Sequence, residues 1–183
     1  MNFIQNFDMS ITHFLQNSIS NGFLNSIMPI ITLLGKDALI WLVIAICLLF
    51  NKKYRIIGIL TIAVIGFDFI IGSVIIKHII QRPRPFVVDT SIHLITKTPH
   101  GYSFPSGHSG GSFAAATMLG FYFKKYKPFL FVLATLIAFS RVYLAAHFFT
   151  DVVCGAILGI FIAYIINYIF KNYVATYFKT TKH

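Results

Sequence analysis

Along the first 18 residues Phe3, Phe7, Ile11, Phe14 and Leu15 recur at helical spacing, with Gln, Asn and Asp8 between them. That pattern predicts an amphipathic helix over residues 2–18, too polar to cross a bilayer. Residues 21–34 are more apolar, yet they hold Asn25 and Pro29 and fall short of the ~20 residues a span needs. Both segments are expected to lie in, or dip into, the membrane interface. Beyond them the polar face disappears. Apolar runs at 37–50, 56–77, 106–123, 128–146 and 148–170 predict five spans, interrupted by a loop from His78 to Phe104 rich in Pro, Thr and His. The expected fold is all-α: a polytopic membrane helical bundle of about five transmembrane helices plus N-terminal interfacial amphipathic helices. Three regions follow: an interfacial segment (1–35), a transmembrane domain (36–171) and a basic tail (172–183).

Composition agrees with the pattern. Hydrophobic residues make up 57% of the 183-residue chain and charged residues only 11%, against roughly 25% charged in a soluble domain. Aromatic residues, at 16%, suit membrane packing and interfacial belts. No cleavable signal peptide is expected, because the first 35 residues hold no Lys or Arg. Cys47 and Cys154 both lie in apolar runs, in no metal-binding pattern, and read as small core residues.

The net charge of +10, with five Asp and no Glu, raises the question of what the cations serve. They sit at the ends of apolar runs, which argues against a nucleic-acid partner. Five spans place Lys52, Lys53, Arg55, Lys124, Lys125, Lys127, Lys171, Lys179 and Lys182 on one side. The positive-inside rule makes that side, with the C-terminus, cytoplasmic. The N-terminal segment, the 78–104 loop and the turn near His147 then face outward. A multi-pass protein of the cell membrane is expected.

At that outer level three short segments converge: Lys77 with Arg84-Pro85, Pro105-Ser106-Gly107-His108 at the start of the third span, and Ser140-Arg141 with His147 and Asp151. Cations in or near a span are costly unless partnered, and few of the Asp residues reach this level. A phosphate group suits Lys77, Arg84 and Arg141. Ser106 and Gly107 open a helix, whose free N–H groups and dipole favour the same anion. His147 and Asp151 are four residues apart, so the carboxylate can accept from one ring nitrogen and leave the other free to attack phosphorus. His108 can protonate the leaving oxygen. These roles need His147 neutral and His108 charged, and so predict a bell-shaped pH–rate profile.

The patterns K-x6-RP, PSGH and SR-x5-H-x3-D resemble the three signature motifs of the type 2 phosphatidic acid phosphatase superfamily, over roughly residues 37–170. The resemblance implies that Lys77, Arg84 and Arg141 bind phosphate oxygens, with Ser106, Gly107 and Ser140 beside them. It implies that His108 is the general acid, that His147 forms a phosphohistidine and that Asp151 orients it. No metal or other cofactor is implied. The chain is most similar in type to short bacterial membrane members that hydrolyse undecaprenyl diphosphate or phosphatidylglycerophosphate. The expected substrate is a lipid phosphate or diphosphate, undecaprenyl diphosphate first, with phosphatidylglycerophosphate or phosphatidic acid as the alternative.

Blander readings stand beside these. Single cations near a span often snorkel to headgroups. Asp68, inside the second span, is expected to serve as a structural partner or, less readily, a substrate contact. His78, Arg82, His93, Lys97 and His100 read as solvated loop residues, with Arg82 in reach of a second phosphate or headgroup. A lipid-phosphate transporter or flippase would keep the cations but would not need both histidines and Asp151. A vanadate-dependent oxidant could share the site.

Overall fold

The computed structural model describes residues 3–174. Among them are nine α-helices and no strand: α1 Phe3–Phe14, α2 Gly22–Gly35, α3 Leu39–Leu49, α4 Arg55–Asp68, α5 Lys77–Ile80, α6 Pro85–Val88, α7 Gly107–Tyr122, α8 Lys127–Tyr143 and α9 Phe149–Ile169. A π-helical stretch, Phe69–Ile76, carries α4 into α5. Most of the expected basic tail, with Lys179 and Lys182, lies outside the described residues.

Among the described residues four stretches are long and apolar enough to cross a membrane: Gly22–Leu49, Arg55–Val88, Lys124–Tyr143 and Phe149–Tyr173. The helical bundle is as expected, but the count of spans differs in two places. Residues 22–34, expected at the interface, form α2 and run on into α3 as one stretch of 28 residues. The joint is a kink at Asp37 and Ala38, both with left-handed φ (50° and 56°). Of the two residues that argued against this crossing, Pro29 sits inside α2 and Asn25 is satisfied. Asn21 caps α2 by accepting from the Leu24 amide at 3.0 Å, and the Asn25 carbonyl oxygen accepts from the Tyr143 hydroxyl at 2.6 Å.

The second difference concerns α7. Its 16 residues span about 24 Å, short of the ~30 Å hydrocarbon core. It is the central helix, packed against α4, α8 and α9. Its sequence explains the position: Ser109, Gly110, Gly111, Ser112, Ala114, Ala115 and Ala116 are all buried, and small residues let neighbouring backbones close in. On α9 the G-x-x-x-G pair, Gly155 and Gly159, faces it. A Cβ on Gly155 would stand 2.6 Å from the Ser106 carbonyl oxygen, and one on Gly159 would overlap the Gly110 carbonyl. Trp41 is fully buried and donates from its indole N–H to Ser112 Oγ at 3.0 Å, joining α3 to the same helix.

Helix α1 is amphipathic as expected, but Asp8 and Thr12 of its polar residues turn inward, while Asn6 and Ser10 stay exposed. Phe3, Ile4, Phe7 and Phe14 are exposed, whereas Asp8, Met9 and Thr12 are buried. Met9 packs with Ile92, Ala145 and Phe148 in a small cluster under the 78–104 loop. His13 pairs with Asp89 at 3.1 Å, and Gln16 donates to the His93 carbonyl at 2.9 Å. Helix α1 is thereby strapped across one end of the bundle.

Candidate active site

The three sequence motifs meet at that end. The turn between α8 and α9 brings in the third. The amides of Ala146 and His147 both donate to the Arg141 carbonyl (3.1 and 3.2 Å), and Ala145 takes a left-handed φ of 52°. This folds the chain back so that His147 lies beside Arg141 instead of continuing α8. A cavity of about 470 Å³ opens there, lined by Lys77, Arg84, Gly107, His108, Arg141 and His147. The same cavity is lined by Leu42, Ile62, Ile65 and Phe69, and by Ser73 and Asp68. Charged and apolar walls therefore share one space, the shape a lipid phosphate requires.

Lys77, Arg84 and Arg141 come together as anticipated. Among the described residues no carboxylate oxygen lies within 4.0 Å of any of them. Arg84 is anchored instead by carbonyls, donating to Gly101 (2.8 Å), His100 (2.9 Å) and Ala146 (2.6 Å). Three of its five N–H donors are used, leaving two. Arg141 donates to Thr32 Oγ1 at 2.6 Å, and its buried Nε has no partner among the described residues.

His147 is 3% exposed. Its Nδ1 lies 2.7 Å from the backbone carbonyl of Ser103. A carbonyl can only accept, so Nδ1 carries the proton and Nε2 is left with its lone pair. Burial first, then the charges of Arg141, Arg84 and Lys77, hold the imidazole well below the ordinary histidine pKa. At pH 7 it is neutral, the form a nucleophile needs.

The direct bond expected from His147 to Asp151 is not the one that fixes the ring. Asp151 Oδ2 is 3.9 Å from Nδ1, beyond hydrogen-bond range. It accepts instead from Ser103 Oγ at 2.5 Å and from the Phe148 amide at 3.0 Å. The reason is local: as the third residue of α9, Asp151 caps its own helix, and Ser103 is interposed. The Ser103 hydroxyl thus stands between the Asp151 carboxylate and the His147 ring, 3.5 Å from Nδ1. Ser140 also departs from expectation. It is fully buried and donates back to the Ile137 carbonyl at 2.6 Å, and it does not line the cavity. Ser106 is fully buried with an Oγ that has no partner among the described residues, and its amide donates to the Asp151 carbonyl at 3.1 Å.

Arg82 is the largest departure. Read from sequence as a solvated loop residue, it is mostly buried and bridges two carboxylates. Its Nη1 donates to Asp151 Oδ1 (2.5 Å) and Thr150 Oγ1 (2.8 Å), and Nη2 to Asp8 Oδ2 (2.7 Å). The guanidinium also lies over the Phe148 ring, 4.1 Å from its centroid. His93, Lys97 and His100 are exposed, as expected for loop residues; His78 is exposed too but belongs to helix α5, not to the loop. Asp68 is buried against Gly110, lines the cavity, and has one oxygen without a partner.

Residues 53–175 match the PAP2 superfamily, and the chain belongs to it. It is 30% identical over 143 residues to undecaprenyl-diphosphatase of Sulfolobus acidocaldarius, covering 78% of this chain and 68% of that protein. It is 31% identical over 164 residues to phosphatidylglycerophosphatase B of Bacillus subtilis, covering 81% and 76%. Among solved structures, it resembles the transmembrane PAP2 type phosphatidylglycerolphosphate phosphatase from Bacillus subtilis, with a TM-score of 0.76 and 29% identity over 94% of this chain and 89% of that one. Aquifex aeolicus LpxE gives a TM-score of 0.78 at 26% identity, over 87% and 94%. The chain is a multi-pass membrane protein with the helical bundle of these neighbours.

Proposed function

We propose that this protein is an integral membrane lipid phosphatase that removes the terminal phosphate of a lipid diphosphate through a phosphohistidine on His147. The observation that carries the reading is the cation set: Lys77, Arg84 and Arg141 line one cavity with no carboxylate within ion-pair reach, beside a histidine whose Nε2 is free. A terminal phosphate dianion offsets two of these three charges and the inner phosphate of a lipid diphosphate the third, and the lipid beyond it reaches the apolar wall of Leu42, Ile62 and Ile65.

The chemistry follows in two steps. Nε2 of His147 attacks phosphorus, the N–P bond forms, and the bond to the leaving oxygen breaks as His108 gives that oxygen a proton. Water then attacks the phosphohistidine, His108 takes its proton, and phosphate leaves with His147 restored. Gly107 and His108 at the start of α7 line the cavity, where free helix N–H groups suit the phosphoryl oxygens; Ser106 is buried behind them with its amide on the Asp151 carbonyl, and Asp151 steadies the ring through Ser103. Lys52, Lys53, Lys124 and Lys125 lie in the α3–α4 and α7–α8 connections and Lys127 opens α8, which supports a site on the extracytoplasmic face.

Undecaprenyl diphosphate is the preferred substrate, because an outward-facing site suits a carrier lipid used on that side. Phosphatidylglycerophosphate is the second reading, favoured by likeness to the Bacillus subtilis phosphatase over most of both chains. Phosphate release by the purified protein in detergent, with chelator present, is expected to be fastest from undecaprenyl diphosphate across a panel of lipid phosphates. Faster release from phosphatidylglycerophosphate selects the second reading, and release from none of them sinks both.

A further inference from the structure

Helix α1 belongs to none of the three motifs, yet it places a carboxylate against the catalytic turn. Asp8 is 0% exposed. Its Oδ1 accepts from the Thr150 amide at 3.0 Å, and its Oδ2 accepts from Thr150 Oγ1 at 2.5 Å and from Arg82 Nη2 at 2.7 Å. Thr150 is in the first turn of α9, so Asp8 satisfies an N–H of the same helix end that Asp151 caps from within. Arg82 stands between the two carboxylates, with one arm of its fork on each.

We propose that Asp8 is a positioning residue for the reaction: by sharing Arg82 with Asp151, it sets how much negative charge reaches His147 through Ser103. The inference rests on the reading of His147 as nucleophile. Charge accounting shows how the device works. With both carboxylates ionised, Arg82, Asp8 and Asp151 together carry one net negative charge. Without Asp8 that sum is zero, and Arg82 neutralises Asp151 alone. The negative charge that steadies the ring as it gains positive character on phosphorylation is then withdrawn. Geometry reinforces the effect. Arg82 is held over Phe148, the residue next to His147, and Met9 of α1 packs on Phe148 and Ala145. The strap, the guanidinium and the catalytic turn are therefore packed against one another.

A bare structural clamp would need Asp8 only for folding, and Asp8→Asn separates the two roles. The amide keeps an oxygen for the Thr150 N–H and loses the charge. The expected result, per folded molecule in detergent, is a kcat lower by about 10-fold with KM unchanged. The acid limb of the pH profile also moves to lower pH. The groups facing His147 are Arg141, Arg84, Lys77 and His108, with Asp151 and Arg82 behind Ser103. All of these are kept in the variant, so the only change His147 feels is the lost negative charge, which makes its imidazolium more acid. Wild-type kcat and an unmoved limb in folded Asp8→Asn overturn the proposal. If that variant does not fold, Arg82→Lys serves: a single ammonium cannot fork between two carboxylates, so kcat is expected to fall at constant KM, and wild-type kinetics again overturn it. His147→Ala is run beside them. Wild-type behaviour of Asp8→Asn next to an inactive His147→Ala defeats this inference alone, whereas turnover by His147→Ala defeats the underlying reading.

Discussion

Replacing His147 with Ala is expected to lower kcat by at least ~10³-fold, since removing a covalent nucleophile leaves only binding and electrostatic stabilisation. The phosphate-binding cations remain, so the lipid still binds. Lys77 and Arg84 are held by helix α5 and by carbonyls of the 78–104 loop, and Arg141 by α8 and Thr32. None of these anchors involves the His147 side chain. Turnover and lipid binding, measured on the same preparation, therefore separate an enzyme from a transporter that only holds lipid phosphate. Unchanged turnover would favour the transporter.

Arg82→Met is expected to have the largest effect on stability. Asp8 and Asp151 are both fully buried, and Arg82 is the ion-pair partner of each. Removing one member of a buried ionic network strands charge in a low-dielectric interior, at a cost of about 3–5 kcal/mol. Here two carboxylates lose their cation at once, and the cap of α9 and the seat of α1 go with them. Thermal unfolding in detergent should show a large loss of melting temperature. An unchanged melting temperature would mean that the Arg82 bridge is not formed in the native protein.

Much of this site could be read from the chain, because its chemistry is concentrated in short motifs whose neighbouring members stand no more than seven positions apart. Lys77, Arg84, His108, Arg141 and His147 line one cavity, as their spacing and shared membrane level implied. What escaped was long-range. Arg82 and Asp8 are separated by 74 positions, and no local pattern couples them. Asp8 was read as part of the wet face of an amphipathic helix. In a bilayer the apolar side can face outward: Phe3, Phe7 and Phe14 are exposed while Asp8 and Thr12 are buried. A lone carboxylate on a helix whose apolar face can meet lipid was the available signal. Ser103 was invisible for a different reason, since it bonds His147 through its backbone carbonyl, which any residue would supply. The α2–α3 crossing was obscured by Asn25 and Pro29. Asn25 is paired with Tyr143, 118 positions away, and hydropathy cannot register that contact.

The phosphohistidine itself gives the most direct test. Rapid acid-free quenching of the enzyme during turnover of a lipid diphosphate, followed by peptide mass spectrometry, should find a phosphoryl group on His147 that is stable to base and lost in acid. Phosphate carried by another residue, or steady-state turnover with no covalent adduct on His147, would contradict the mechanism.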